Sequence, residues 1–392
     1  MVESNNTEDT EEILLIRFGV WNHTSHSNQT TVGPLSNPTP PGLPMVAPSY
    51  IALFSSLFCV VGTVGILGNL MVVYIILADR KMRKSVTNML ILNLALADSL
   101  IMLCGIPEIV LFMINKGWLL GLVMCKFQRT VLVCALYSSV LTLVAVCIER
   151  YIAIVFPIKA HIVCTKRRIF VVIIIVWFFS LVCGTPTALF NSVHLVAPGK
   201  YFCYTQFPGN NSIDYLKAYK YTESALFYFG PLTIQLVCYI VIGKRLFVGV
   251  EKLHRNVNRN RNERGGGRTS EAIKARKGVV KMLIASVVIY FLSYSPHQVL
   301  MFYNTFSSQR FEESWVYVVF VTTLGYINSA ANPLLYCVFS ENFRKKFQYL
   351  LHCCGCCHED YERQRTISMT SYTEYTTLFK KSTRRPNNLS SV

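Results

Sequence analysis

Charge is what this chain has least of. Only 15% of its 392 residues are Asp, Glu, Lys or Arg, while 52% are hydrophobic; a soluble protein carries about 25% charged residues. The apolar residues gather into runs too long for a globular core, so the bilayer rather than a large water-excluding core organises the fold. Acid is the scarcer sign, 21 residues against 38 Lys and Arg, a net charge of +17. On a soluble face that excess would suggest nucleic acid. Here the basic residues lie in short connections between apolar runs, which points to membrane topology and to no nucleic-acid partner. No nucleophile–base pair or metal motif stands in a plausible site, so an enzyme has no support. No repeat, discontinuous span or line of charges crosses the apolar runs, as a transporter or channel would need; a transporter stays as the alternative from another class. No basic stretch followed by a short apolar run opens the chain, so a cleaved signal peptide is not expected.

The 14 cysteines lose the look of a disulfide scaffold once placed. Cys59, Cys104, Cys134, Cys147, Cys164, Cys183, Cys238 and Cys337 lie in or beside apolar runs or in cytoplasmic connections, and read as small core hydrophobes or reduced thiols. Cys353, Cys354, Cys356 and Cys357 form a cluster of their own. Only Cys125 and Cys203 fall in segments facing the oxidising side.

What is present is seven apolar runs, at about 49–77, 86–114, 125–151, 169–189, 219–246, 277–303 and 314–339. The third is the most telling. Its middle, 130–148, is 19 residues without a charge, about 28 Å of helix and so about one bilayer core. It stops on Glu149-Arg150-Tyr151, either an interfacial salt bridge or a switch in which the carboxylate holds the arginine at rest. Asp98 in the second run stands near the bilayer centre, where a carboxylate must be protonated, paired or bound to a cation. Asn69 in the first run needs an inter-helix partner. Trp118, after the second, is expected as an interfacial anchor.

The 1–46 tail is polar, net acidic and rich in Pro, Thr, Ser and Asn, with sequons at Asn5, Asn22 and Asn28; a fourth, at Asn210, precedes the fifth run. Basic connections at 79–84 and 166–168 place those turns in the cytoplasm, leaving the N-terminus outside. Residues 340–352 read as an amphipathic helix on the membrane surface. The expected fold is an all-α membrane protein, a seven-transmembrane helix bundle with a short amphipathic helix on the cytoplasmic surface. Its parts are a glycosylated extracellular tail 1–46, a receptor domain 47–352 and a cytoplasmic regulatory tail 353–392, in the plasma membrane.

One marker stands in each run, in fixed order: Gly68-Asn69; Leu94-Ala95-x-Ala97-Asp98; Cys125 with Glu149-Arg150-Tyr151; Trp177; Pro231 with Tyr239; Pro296; and Asn332-Pro333-x-x-Tyr336. Over about 48–352 the chain resembles the rhodopsin-like (class A) G-protein-coupled receptors. The resemblance implies that Cys125 and Cys203 tie the second extracellular loop to the third span. It implies a buried sodium ion among Asp98, Ser139, Asn328 and Asn332, the rival being a protonated Asp98 bonded to the same residues; no other cofactor is expected. Arg150, caged by Glu149, would be released toward Tyr239, Tyr336 and a heterotrimeric G protein as span six moves outward about Pro296. Two positions depart from the pattern. Arg276 replaces an acid that in many members pairs with the switch arginine, which implies basal activity or another restraint. Tyr294 stands where many members have Trp.

Ligand class is narrowed by further absences. Tyr326 occupies the position of the retinal-bearing lysine of opsins, and Leu132 that of the aspartate of aminergic receptors. The outer residues Glu108, Gln128, Arg129, Leu132, Glu223, Tyr294, His297, Gln298 and Tyr326 suit a peptide, with Glu108 meeting a basic group and Gln128 an amide. The overall pattern is similar to neuropeptide receptors of the thyrotropin-releasing-hormone, growth-hormone-secretagogue and neuromedin group. A receptor coupling constitutively without a ligand is the alternative within the class. Cys353, Cys354, Cys356 and Cys357 after the amphipathic helix read as palmitoylated, with zinc as rival because His358 follows. The Ser/Thr-rich tail would be phosphorylated by a receptor kinase to recruit arrestin, and the terminal Ser390-Ser391-Val392 fits a PDZ-domain partner.

Overall fold

Away from water a backbone N–H or C=O can be paired only within its own segment, so each uncharged run folds as a helix. The structure, a computed structural model, describes residues 47–114, 116–197, 200–259, 266–306 and 315–354, without the side chains of 196–197, 246–259, 266–277 and 351–354. In order come α1 (Pro48–Ala78), α2 (Arg80–Lys84), α3 (Val86–Met113), α4 (Gly121–Val155), α5 (Pro157–Val163) and α6 (Lys166–Phe190). Strands β1 (Asn191–Ala197) and β2 (Lys200–Thr205) follow, then α7 (Ser212–Ser224), which runs through a π-helical turn at Ala225–Phe229 into α8 (Gly230–Arg259). The last three are α9 (Gly266–Phe306), α10 (Trp315–Phe339) and α11 (Glu341–Cys354). Among the described residues seven helices are long and apolar enough to cross a membrane: α1, α3, α4, α6, the joined α7–α8, α9 and α10. These are spans one to seven, as expected from the runs.

Span three is the spine. It packs against spans two, four and five and against β1, whereas span six packs closely on span seven and only lightly on span five. Polar side chains stitch the spans together. Asn69 donates to the carbonyl of Ser329 at 3.1 Å, joining spans one and seven. Trp177 donates to Asn93 Oδ1 at 2.8 Å and Asn93 to Thr142 Oγ1 at 2.8 Å, joining spans four, two and three. Large apolar side chains such as Leu67, Phe178 and Leu236 stay exposed on the outer surface, as a lipid-facing wall requires.

Glycines set two of the closest approaches. A Cβ on Gly68 would stand 2.9 Å from Pro333 Cβ, and one on Gly105 would overlap the ring and hydroxyl of Tyr326. Spans one and two can lie against span seven only because no side chain intervenes.

Three local features go beyond the sequence reading. The loop after span four is an antiparallel hairpin, with Val193 opposite Cys203 and Asn191 opposite Thr205; the other elements among the described residues are helical. Pro157 opens a helical turn in the connection after span three, where its missing N–H costs nothing. Asp79 caps α2, its carboxylate accepting from the backbone N–H groups of Lys81 and Met82 at 2.7 and 3.3 Å. Trp118 corrects an expectation: it is no interfacial anchor but 5% exposed, packed with Cys125 and Cys203. Its indole donates to the Gly121 carbonyl at 2.8 Å, so its polar tip is satisfied within the protein. The compact body ends at Ser340. Helix α11, taken alone, carries Phe343, Phe347 and Leu350 along one stripe and a Lys345–Glu341 ion pair at 2.7 Å, and runs two residues past the expected end.

Gly105→Ala is expected to destabilise the protein by about 1–3 kcal/mol through overpacking on Tyr326. Gly243→Ala, where a Cβ meets nothing within 4 Å, should be neutral or slightly stabilising. Thermal unfolding of the purified protein in detergent checks both.

Candidate functional site

Four clusters lie along span three, from the disulfide end to the Arg150 end. At the first, Cys125 and Cys203 are bonded, with Cα atoms 5.7 Å apart, which fastens β2 over the mouth of the bundle. Arg129 ion-pairs with Glu108 and donates to the Cys203 carbonyl at 3.1 Å. Gln128 approaches the other Glu108 oxygen at 3.5 Å. The three residues expected to meet ligand are thus engaged with one another, because Glu108 on span two faces Arg129 across a gap too narrow for water to screen both charges. On the hairpin above, His194 stacks on Tyr204 with ring centroids 4.2 Å apart, and its Nε2 lies 2.5 Å from Ser192 Oγ. Burial lowers the His194 pKa below the usual histidine value and pushes the Tyr204 phenol up to about 12.

Below the mouth lies a cavity of about 290 Å³ between spans two, three, five, six and seven. Leu132, Glu223, Tyr294, His297, Gln298 and Tyr326 all line it, as the sequence suggested; Glu108, Gln128 and Arg129 do not. Most of the wall is apolar or aromatic, including Ile101, Leu136, Val140 and Phe227. Its one carboxylate is already satisfied: Glu223 accepts from Lys220 Nζ at 2.5 Å and from the Tyr137 hydroxyl at 2.9 Å. Tyr137 also reaches Tyr219 at 3.2 Å and stacks on Phe227 at 3.7 Å. Sequence reasoning missed Tyr137, which belongs to no spaced motif, and Lys220, which its place three residues before Glu223 on one helix could have signalled. Gln298 is held from span five, accepting from Ser224 at 2.7 Å.

At the third cluster Asp98 is fully buried. Ser139 donates to its Oδ1 at 2.9 Å and Asn332 to its Oδ2 at 2.7 Å, so the carboxylate joins spans two, three and seven. Asn328 turns to Tyr294 instead. Ser329 is buried with its hydroxyl beside Asp98. The Asp98 carboxylate and the hydroxyls of Ser139 and Ser329 form an oxygen donor set that suits a hard monovalent cation, so the site fits a sodium ion with Ser329 in the place expected of Asn328.

The fourth cluster holds Arg150, about 27 Å of helix beyond Leu132. Its guanidinium forks onto Glu149, Nε to Oε2 at 2.5 Å and Nη2 to Oε1 at 2.6 Å. It also donates to Thr87 Oγ1 on span two, and that hydroxyl lies 3.3 Å from both Glu149 oxygens. Glu149 is 5% exposed and Arg150 22%, which places the pair at the rim of the apolar layer and not in water. Tyr151 packs edge-on against Phe156 at 5.9 Å. Tyr239 stands on span five and Pro333 and Tyr336 are buried on span seven; the described bonds of Arg150 go to Glu149 and Thr87. Thr87 was invisible in the sequence, where nothing relates it to a residue 63 positions later.

Of the modification sites, Asn210 is exposed in a turn before α7, open to glycosylation. Asn5, Asn22, Asn28, Cys356 and Cys357 lie outside the described residues, as do the Ser/Thr-rich tail and the terminal Ser390-Ser391-Val392; Cys353 and Cys354 end α11 with side chains that are not described.

A cavity at one end of seven spans, joined along span three to a restrained arginine at the other, is the architecture of a membrane receptor. The chain belongs to the rhodopsin family of seven-transmembrane receptors, whose family model matches residues 68–336. It is 33% identical to neuropeptide receptor 15 of Caenorhabditis elegans over 324 residues, covering 80% of this chain and 94% of that one. It is 26% identical to the substance-P receptor of Rattus norvegicus over 306 residues, 78% of this chain and 72% of that one. It is 28% identical to the neuromedin-K receptor of Cavia porcellus over 324 residues, 81% and 69% of the two. The neuropeptide-receptor type is thereby shown, and the chain is a receptor rather than an enzyme.

Because the folded hairpin favours neutral His194, the unfolded state binds more protons once pH drops below the unfolded histidine pKa, about 6.5. The hairpin's stability is therefore expected to be full above that pH and to fall as pH is lowered through the folded value. Faster amide exchange across β1 and β2 at about pH 5.5 than at pH 7.4, flattened in His194→Phe, is the measurable outcome.

Proposed function

We propose that the receptor is activated from outside the cell by a neuropeptide and signals to a heterotrimeric G protein by outward movement of span six. The observation that carries this reading is the cavity beneath the disulfide-tethered hairpin, continuous through span three with the Glu149-restrained Arg150. The 33% identity to neuropeptide receptor 15 across nearly all of that protein supports it. The basic connections around α2 and at the start of α6 lie at the Arg150 end, which supports a cytoplasmic Arg150 end and an extracellular N-terminus; the plasma membrane belongs to the same reading. A receptor kinase and arrestin acting on the Ser/Thr-rich tail, a PDZ-domain partner at its end and palmitoylation at 353–357 belong to the same reading.

Charge pairing narrows what enters the cavity. Glu223 is matched by Lys220 and Glu108 by Arg129, so a charged ligand group would have to displace a half-buried partner. The peptide end that reaches the floor is therefore uncharged and aromatic or aliphatic, and its basic groups stay with the hairpin and tail. Asp98, Ser139, Ser329 and Asn332 would hold a sodium ion, which would neutralise the buried carboxylate and brace spans two, three and seven.

Cells expressing the receptor should activate a G protein on exposure to at least one member of a neuropeptide panel that starts with substance P and neuromedin K. Arg150→Ala should abolish that response at unchanged surface level. Response only to a lipid or nucleoside would reject the peptide reading, and ion flux surviving Arg150→Ala would favour a transporter. For the cation, NaCl should raise the melting temperature of the purified receptor above that in choline chloride at equal ionic strength. A concentration ten times the dissociation constant corresponds to about 1.4 kcal/mol; Asp98→Asn should remove the difference.

A further inference from the structure

One stretch of the tail before span one does not match its surroundings. Ile13-Leu14-Leu15-Ile16-Arg17-Phe18-Gly19-Val20-Trp21 holds seven apolar residues in nine, whereas the rest of 1–46 never has more than two in succession. In water such a run gains from a partner, since burying one large apolar side chain is worth about 1.5–3 kcal/mol. Acids precede it: Glu8, Asp9, Glu11 and Glu12, and with Glu3 they stand against Arg17 as the tail's one Lys or Arg.

The disulfide end of the bundle, where the tail joins span one, is complementary in charge and in polarity. With Glu108 and Glu223 paired to Arg129 and Lys220, that end still carries Lys116, Lys126, Lys200 and Lys217 against Asp214 alone among the described residues. The connection 307–314 adds Arg310, Glu312 and Glu313, so the excess remains basic. On the hairpin, Leu195 and Tyr201 lie opposite each other and are 60% and 45% exposed, an apolar pair at the mouth. Beneath them the cavity of about 290 Å³ is walled largely by aliphatic and aromatic side chains. A space of about 150 Å³ holds a benzene ring, so the cavity has room for about two aromatic groups and not for the whole run. Reach is ample. The 25 residues between Trp21 and Ala47 can span up to about 85 Å. The cavity is lined by spans two and seven, both packed on span one, and so lies within about 20 Å of it. A lipid surface is the poorer partner, because segments that lie on membranes are rich in Lys and Arg and this run follows Glu11 and Glu12.

We propose that residues 11–21 are a tethered occupant of this cavity. Phe18 enters it, Leu14 and Leu15 cover Leu195 and Tyr201, and Glu11 and Glu12 lie among the lysines of the mouth. Phe18 meets the requirement derived above for an uncharged aromatic group at the floor, and Arg17 stays with the hairpin. A soluble peptide then binds only by displacing the tethered copy, so the tail sets the concentration at which the receptor responds. The inference rests on the proposed function in taking this cavity as the peptide site.

The test uses full-length receptor in phosphatidylcholine nanodiscs. With Phe18→p-benzoylphenylalanine, irradiation should crosslink the tail to peptides carrying cavity residues such as Ile101, His297, Met301 or Tyr326; crosslinks only to lipid, to a second receptor copy or to other parts of the bundle would overturn the proposal. The second measurement is binding of a fluorescent synthetic peptide with the sequence of residues 11–21. A tether of this length supplies an effective concentration of about 1 mM, so a segment with a Kd of about 0.1 mM competes about tenfold with the probe. The probe should therefore bind the Ile16→Ser, Phe18→Ser double variant about tenfold more tightly than the unaltered receptor. Equal affinity, no binding to either, or the same binding to receptor-free nanodiscs would reject the tethered occupant. Both positions lie outside the helices, so neither substitution threatens the bundle. If crosslinks and competition are found in a receptor that answers no ligand through a G protein, the occupant stands and the signalling reading falls. A neuropeptide response with neither crosslink nor competition decides the reverse.

Discussion

A polar group inside a bilayer has no water to fall back on, and the bundle is assembled around that constraint. Asp98 takes a donor from span three and another from span seven. Asn93 links Trp177 to Thr142, Asn69 reaches the backbone of span seven, and the carbonyl freed by Pro231 takes the hydroxyl of Tyr290. Each bond joins helices that apolar contact alone would leave free to slide, since lipid tails are as apolar as leucine. The pairings that fix the spans are also those on which a shift between two states would act.

The same constraint shapes the two ends differently. At the disulfide end Glu108 pairs with Arg129 across helices and Glu223 with Lys220 one turn away on the same helix, and the cavity is left lined by rings and aliphatic chains. At the other end Glu149 and Arg150 are neighbours in sequence, and Thr87 from span two closes the pair. A partner offering a better acceptor than Glu149 would face a guanidinium only partly buried. One end therefore presents a surface of low net charge to a ligand, and the other keeps one cation in reserve.

Legibility followed the length scale of each feature. Span number and the ordered markers could be read from the chain because each is local: a charge-free run, a charged triplet, a proline. The expected inter-helix role of Asn69 held because an amide in that setting has few alternatives. Six of nine expected ligand residues line the cavity. Glu108, Gln128 and Arg129 bind one another instead, because a charge near the surface can face a ligand or a neighbour equally well. Trp118 was misread because its burial depends on the hairpin that the disulfide draws over it.

By itself the sequence determined that the chain crosses the membrane seven times, which connections are basic, and which family its ordered motifs resemble. Those properties follow from hydrophobicity and spacing along one segment at a time. Only the tertiary structure decided which distant polar groups meet: Tyr137 on Glu223, Thr87 on Arg150, and Tyr290 on the carbonyl of Phe227. Hydrogen bonds and ion pairs act over about 3 Å, and residues 63 or 86 positions apart reach that distance only after the helices have packed.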